Sequence, residues 1–114
     1  MKINHIFTAL TLVSFLFILT FPSPVRADNL QVGAKIFSQQ CAGCHAKGGN
    51  IVRRGKNLKK RALARNGYDT ALAISNLVTQ GKGNMPAYQD RLTETEIQAV
   101  SDYVVQQAEK NWKS

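Results

Sequence analysis

Histidine, cysteine and methionine are scarce in this 114-residue chain, two of each, and there is one tryptophan, at position 112. His5 and Met1 fall in an apolar leader, so the rest of the chain offers two Cys, one His and one Met. A zinc site needs four ligands, and the usual Cys and His donors stop at three. No segment alternates long enough for a strand, apart from Ile51-Val52, and there are no repeats or low-complexity tracts. Acids are few as well: 7 Asp+Glu stand against 15 Lys+Arg, a formal charge of +8. The length allows one small domain, which excludes a multidomain enzyme and a polytopic membrane protein, and an apolar share of 44% argues against a disordered chain. A fold this small buries only roughly 60–65% of its unfolded surface and usually needs a staple. Something must fill its middle.

Residues 1–27 read as a signal peptide. Met1-Lys2 is a short basic start, Ile6 to Phe21 is sixteen uncharged residues, and four of the five Phe lie there. Pro22-Ser23-Pro24 breaks any helix, and Val25-Arg26-Ala27 sets small residues where a signal peptidase cuts. An uncleaved anchor is the alternative, since Ile3 to Phe21 approaches spanning length. Cleavage would leave Asp28 at the N-terminus. It would remove Lys2 and Arg26 and no acid, lowering the charge from +8 to +6 with no stable membrane insertion. Export also places the cysteines where disulfides persist.

Both Cys and the remaining His fall within five residues, Cys41-Ala42-Gly43-Cys44-His45. Zinc lacks a fourth ligand. A thioredoxin-like pair needs a strand before Cys41, and none is evident. A plain disulfide leaves His45 unexplained. Covalent haem attachment uses all three: two thiols add to the two vinyl groups of a porphyrin, and the next residue binds iron. The tight spacing suits it, because both thioethers must reach one edge of a rigid ring.

The flanking pattern is helical. Asn29 to Gln40 places Val32, Ile36 and Phe37 on one face, a short helix that delivers Cys41. Gly33 in that helix costs about 1 kcal/mol against Ala, so it marks either a close helix approach or a tolerated glycine. Thr93 and Glu96 form a capping box, with Leu92 and Ile97 as a hydrophobic staple. Ile97, Val100, Val104, Val105, Ala108 and Trp112 then repeat at helical steps, with Tyr103 beside them to meet Gly33 and Phe37. Two weaker helices, Leu58–Arg65 and Thr70–Gln80, lie between, the first ending at Asn66-Gly67 and the second capped by Asp69 or Thr70. The expected fold is all-α, about four short helices around the haem.

A haem held by His45 has a sixth position. Met85 is the only methionine after the leader, 40 residues beyond His45, in the loop Gly83-Asn84-Met85-Pro86-Ala87-Tyr88. Pro86 keeps the backbone extended there. Met most often fills cores, but a Gly/Pro loop is not a core helix face. Thioether sulfur favours ferrous iron and raises the potential relative to two nitrogens. With both axial positions filled, iron has no place for substrate, and one-electron transfer remains. The alternatives are a haem enzyme or gas sensor with an open iron site, which requires Met85 off the iron, and a haem-free thiol–disulfide protein.

From Asp28 to Ser114 the chain resembles cytochrome c6, the small class I c-type cytochrome of cyanobacteria and algae. The likeness rests on Gly33-Ala34-Lys35-Ile36-Phe37, the Cys41–His45 motif, Gly48-Gly49-Asn50, Asn57-Leu58-Lys59-Lys60, Gly81-Lys82-Gly83-Asn84-Met85-Pro86-Ala87-Tyr88, Arg91-Leu92-Thr93 and Tyr103-Val104 with Trp112. It implies residues 28–114 as a monohaem cytochrome c domain. Cys41 and Cys44 would hold the haem, with His45 and Met85 as axial ligands. It also implies electron carriage from the cytochrome b6f complex to photosystem I or a terminal oxidase, in the thylakoid lumen or periplasm, with Lys82 and Arg91 at basic docking positions. Two features depart from the typical member. Leu77 stands where a glutamine lies near the haem, and Arg53-Arg54-Gly55 is more basic than usual; both resemble the variant branch labelled c6B or c6C, in which an aliphatic residue goes with a lower potential.

The basic run is Arg53, Arg54, Lys56, Lys59, Lys60, Arg61 and Arg65. It reads either as a solvated helix face or as a surface steering the protein to an acidic partner. Nucleic acid fits poorly, since the chain is exported and no aromatics interleave with the charges.

Overall fold

A computed structural model describes residues 24–113. Most of the expected leader, residues 1–23, lies outside them. Helix α1 (Pro24–Ile36) passes into one wide π turn (Phe37–Cys41) and then a single α turn, α2 (Ala42–His45). Two 3₁₀ turns, Ala46–Gly48 and Arg54–Lys56, lead to α3 (Lys60–Asn66), α4 (Ala71–Gln80) and α5 (Glu94–Glu109). Among the described residues there is no strand, only a single antiparallel bridge between Lys82 and Met85. The all-α expectation holds.

Helix α1 begins earlier than its apolar pattern suggests and runs through the expected cut after Ala27. Val25 to Asn29 are exposed, so the expected cut falls in an exposed turn. Val32 does not face inward: it is 44% exposed, and the inner stripe is Gly33, Ile36 and Phe37. The reason lies at Gly33. A Cβ there would fall onto the Ala99 carbonyl oxygen and within 2.8 Å of Tyr103 Cβ, so α1 and α5 cross backbone to backbone. The contact turns the adjacent Val32 outward.

Helix α5 follows its sequence signals. Thr93 Oγ1 accepts from Glu96 N–H at 3.2 Å while Glu96 Oε2 accepts from Thr93 N–H at 2.8 Å. Ile97, Val100, Val104 and Ala108 are buried, and Ser101, fully buried, donates its hydroxyl to Ile97 O at 2.7 Å. Burying Ile97, Val100 and Val104 stabilises by about 1.5–3 kcal/mol each. Beyond α5, Trp112 folds back, its ring centroid 5.0 Å from Phe37 and its Nε1–H donating to Leu58 O at 2.9 Å. Tyr103 lies 5.5 Å from Phe37, completing an aromatic cluster where the turn after α1 meets α5 and the segment beyond it. Helix α3 stops at Gly67 (φ +77), a left-handed cap that glycine adopts without strain, and Thr70 Oγ1 caps α4 by accepting from Ala73 N–H. Ile51-Val52 is loop: Asn50 Oδ1 accepts from the N–H groups of Val52 and Arg53, an Asx turn that bends the chain before it can extend.

Candidate functional site

One cavity of about 550 Å³ lies among α4, α5 and the segment around the cysteines, within the size range of cofactor sites. Cys41, Cys44, His45 and Met85 all line it, bringing together residues 40 positions apart. Leu63, Ile74, Leu77, Val78, Val100 and Val104 supply an apolar wall. A core with space of this size at its centre is the space that the composition left unfilled.

His45 is fixed by the chain just after it. Lys47 (φ +52) and Gly48 (φ +73) adopt left-handed backbone in succession and turn the peptide back, so that Gly49 O lies 2.8 Å from His45 Nδ1. A carbonyl can only accept, so Nδ1 is the donor, and in the neutral imidazole Nε2 keeps its lone pair. That is the tautomer a metal-binding imidazole needs, with its second-shell partner already in place. Gly48 has a further reason to be glycine: a Cβ there would enter the Trp112 indole.

Met85 is held by a tight turn. Lys82 N–H donates to Met85 O at 3.0 Å and Met85 N–H to Lys82 O at 3.1 Å, across Gly83 (φ +59). Gly81 (φ +69) lets this turn fold back, since a Cβ there would sit 2.7 Å from Met85 O. Three residues on, Tyr88 ties the loop to the rest. Its N–H donates to Val78 O at 2.9 Å, and its buried hydroxyl donates to Gln40 O at 3.0 Å, next to Cys41. Sequence reasoning missed this role. A buried tyrosine needs a partner for its hydroxyl, but one 48 positions away has no local signature.

The two cysteines are not joined in a disulfide; Cys41 is half-buried and Cys44 exposed. Burial pushes the Cys41 thiol up to about 11. Thiol–disulfide catalysts depend on a depressed thiol pKa, so Cys41 is shifted the wrong way for that chemistry. Among the described residues no three His, Cys, Asp or Glu side chains converge as a metal set. An apolar chamber with two thiols, a correctly tautomerised imidazole and a thioether fits a covalently attached haem.

The two basic docking positions separate. Lys82 reaches the cavity rim, its Nζ donating to Tyr68 OH at 3.2 Å. Arg91 lies outside the lining, its guanidinium 5.4 Å from the centre of the Tyr88 ring. The basic run also splits: Arg53 and Lys56 line the cavity, while Lys60 pairs with Glu109 at 2.7 Å.

Helices wrapped around such a chamber define a class I c-type cytochrome. The family profile described as cytochrome c oxidase, cbb3-type, subunit III, matches residues 28–104. A cytochrome c6-like protein of Nostoc sp. strain PCC 7120 is 54% identical over 94% of this chain and 97% of its own length. The crystal structure of cytochrome c6C from Synechococcus sp. PCC 7002 is 68% identical, with a TM-score of 0.68 over 69% of this chain and 96% of that one. Cytochrome c6 from the diatom Phaeodactylum tricornutum is 41% identical, with a TM-score of 0.71 over 73% and 98%. The chain belongs to the cytochrome c6 family. It is an electron carrier with one covalent haem c, not an enzyme.

Proposed function

We propose that Cys41 and Cys44 hold the haem as thioethers, that His45 Nε2 and the Met85 thioether bind its iron, and that the domain is residues 28–114 after loss of a signal peptide, 1–27. The observation that carries the ligand assignment is the bond between His45 Nδ1 and Gly49 O, which fixes the free nitrogen on a residue sharing one cavity with Met85. The haem supplies, when bound, a reversible one-electron couple. The chain's part is to hold that couple in a dry, apolar setting with little rearrangement between oxidation states. Gly81 and the Lys82–Met85 turn keep the thioether in place, Tyr88 anchors that turn beside Cys41, and the α4–α5 wall excludes water.

The carrier runs between the cytochrome b6f complex and photosystem I or a terminal oxidase, in the thylakoid lumen or periplasm. Among the described residues no helix is long and apolar enough to cross a membrane, and the +6 charge expected of the cut chain suits acidic partners. Similarity to cytochromes c6C and c6B, with Leu77 lining the cavity, supports a place in the variant branch with a lowered potential. Pyridine haemochrome analysis of the exported protein should find one thioether-linked haem per chain. The oxidised protein should show the weak red absorption of a methionine–ferric bond, and Met85→Ala should abolish it while keeping the haem. A wild-type spectrum without that band would overturn the ligand assignment.

A further inference from the structure

Just beyond α5, Asn111 (φ +55) and Trp112 (φ +56) adopt left-handed backbone in succession. Asparagine takes that conformation readily, but for a bulky side chain it is a strained outlier that persists only where its surroundings hold it. Two contacts hold Trp112 besides its packing on Phe37. The indole fills the space that a side chain on buried Gly48 would need, and its Nε1–H donates to Leu58 O at 2.9 Å.

Both contacts lead to His45. Leu58 N–H donates to Gly48 O at 2.7 Å, so the residue that the indole grips is itself bonded to Gly48. One residue on, Gly49 N–H donates to Ala46 O at 3.0 Å, and Gly49 O is the acceptor 2.8 Å from His45 Nδ1. Gly48 and Gly49 have no side chains to pack and wide backbone freedom, so the direction of that carbonyl is set from outside the turn. We infer that Trp112 is a positioning residue for His45: seated on Gly48 and bonded to Leu58, it clamps the turn whose carbonyl orients the imidazole. The inference rests on His45 being an iron ligand, and it gives Trp112 a role that aromatic packing alone does not. A hydrogen bond at Nδ1 makes the ligating nitrogen more basic, and a more basic ligand favours ferric iron. The clamp therefore holds the potential down.

The test exploits the composition: after the leader there is one His and one Trp, so each can be labelled or replaced singly. In ferrous holoprotein carrying 15N-histidine, solvent exchange of the Nδ1 proton reads the opening of its bond to Gly49 O. Trp112→Phe keeps a ring beside Gly48 and deletes the donor to Leu58 O. Exchange should quicken about twofold to tenfold, the equivalent of one net hydrogen bond, and the reduction potential should rise. Tyr103→Leu removes a ring 6.2 Å from Trp112 but leaves each bond of the clamp in place. It should lower stability in denaturant melts while exchange and potential stay near wild type. If both variants quicken exchange in proportion to the stability they lose, Trp112 only packs and the proposal is overturned. Biosynthetic replacement of Trp112 by benzothienylalanine is the gentler change, putting sulfur in place of the Nε1–H at nearly the same shape. It should quicken exchange as Trp112→Phe does, and an unchanged rate overturns the clamp even where Trp112→Phe yields no folded holoprotein. Failure of the ligand reading looks different. His45 ring signals of the ferric wild type would then lack the large paramagnetic shifts of an iron ligand, which overturns that reading and the proposal with it. Shifted signals with unchanged exchange in the variants overturn the proposal alone.

Discussion

Leu77→Gln should raise the reduction potential. Leu77 is half-buried and lines the cavity, while its carbonyl accepts from Gly81 N–H at 2.7 Å as part of the α4 cap. That bond belongs to the backbone, and Leu and Gln have similar helix propensities, so the exchange leaves α4 and the Met85 turn in place. What changes is the side chain's dipole. Reduction adds one negative charge, and an amide N–H donor in the cavity stabilises the form that carries it. A net hydrogen bond contributes about 0.5–1.5 kcal/mol, and about 1.36 kcal/mol equals about 59 mV for one electron. The expected rise is roughly 20–65 mV on that conversion. Spectroelectrochemical titration reads it directly, with the methionine–iron band as the check on ligation. A potential that falls or stays put with that band intact refutes the reasoning.

Gly33→Ala gains about 1 kcal/mol of helix propensity but drives a methyl into the Ala99 carbonyl, and overpacking of this kind costs about 1–3 kcal/mol; denaturant melts should show net destabilisation at an unchanged potential. Tyr88→Phe deletes the bond to Gln40 O, so stability should fall by about 0.5–1.5 kcal/mol and added imidazole should displace Met85 at lower concentration, by optical titration.

What the sequence could reveal depended on how far each interaction reaches along the chain. The Thr93–Glu96 box, the Gly67 stop and the Thr70 cap each join residues within four positions, and each stands where its local signal puts it. The Cys41–His45 motif was legible for the same reason, because its chemistry is written in five consecutive residues. Val32 misled because hydrophobicity was read as burial, while the neighbouring glycine decided the helix's orientation through a contact with Ala99, 66 positions on. The bond from Tyr88 to Gln40 had no sequence signature at all. Nor did the division of the basic run, which follows from a loop folding over the cavity and α3 turning toward α5. These non-local contacts matter most for the redox site. Composition and spacing supply its candidate ligands, but the crossing at Gly33 and the tie at Tyr88 bring segments from both halves of the chain around one chamber. A cofactor bonded at Cys41 and Cys44 and gripped at Met85 would bridge those segments too, acting as the staple that so small a core needs.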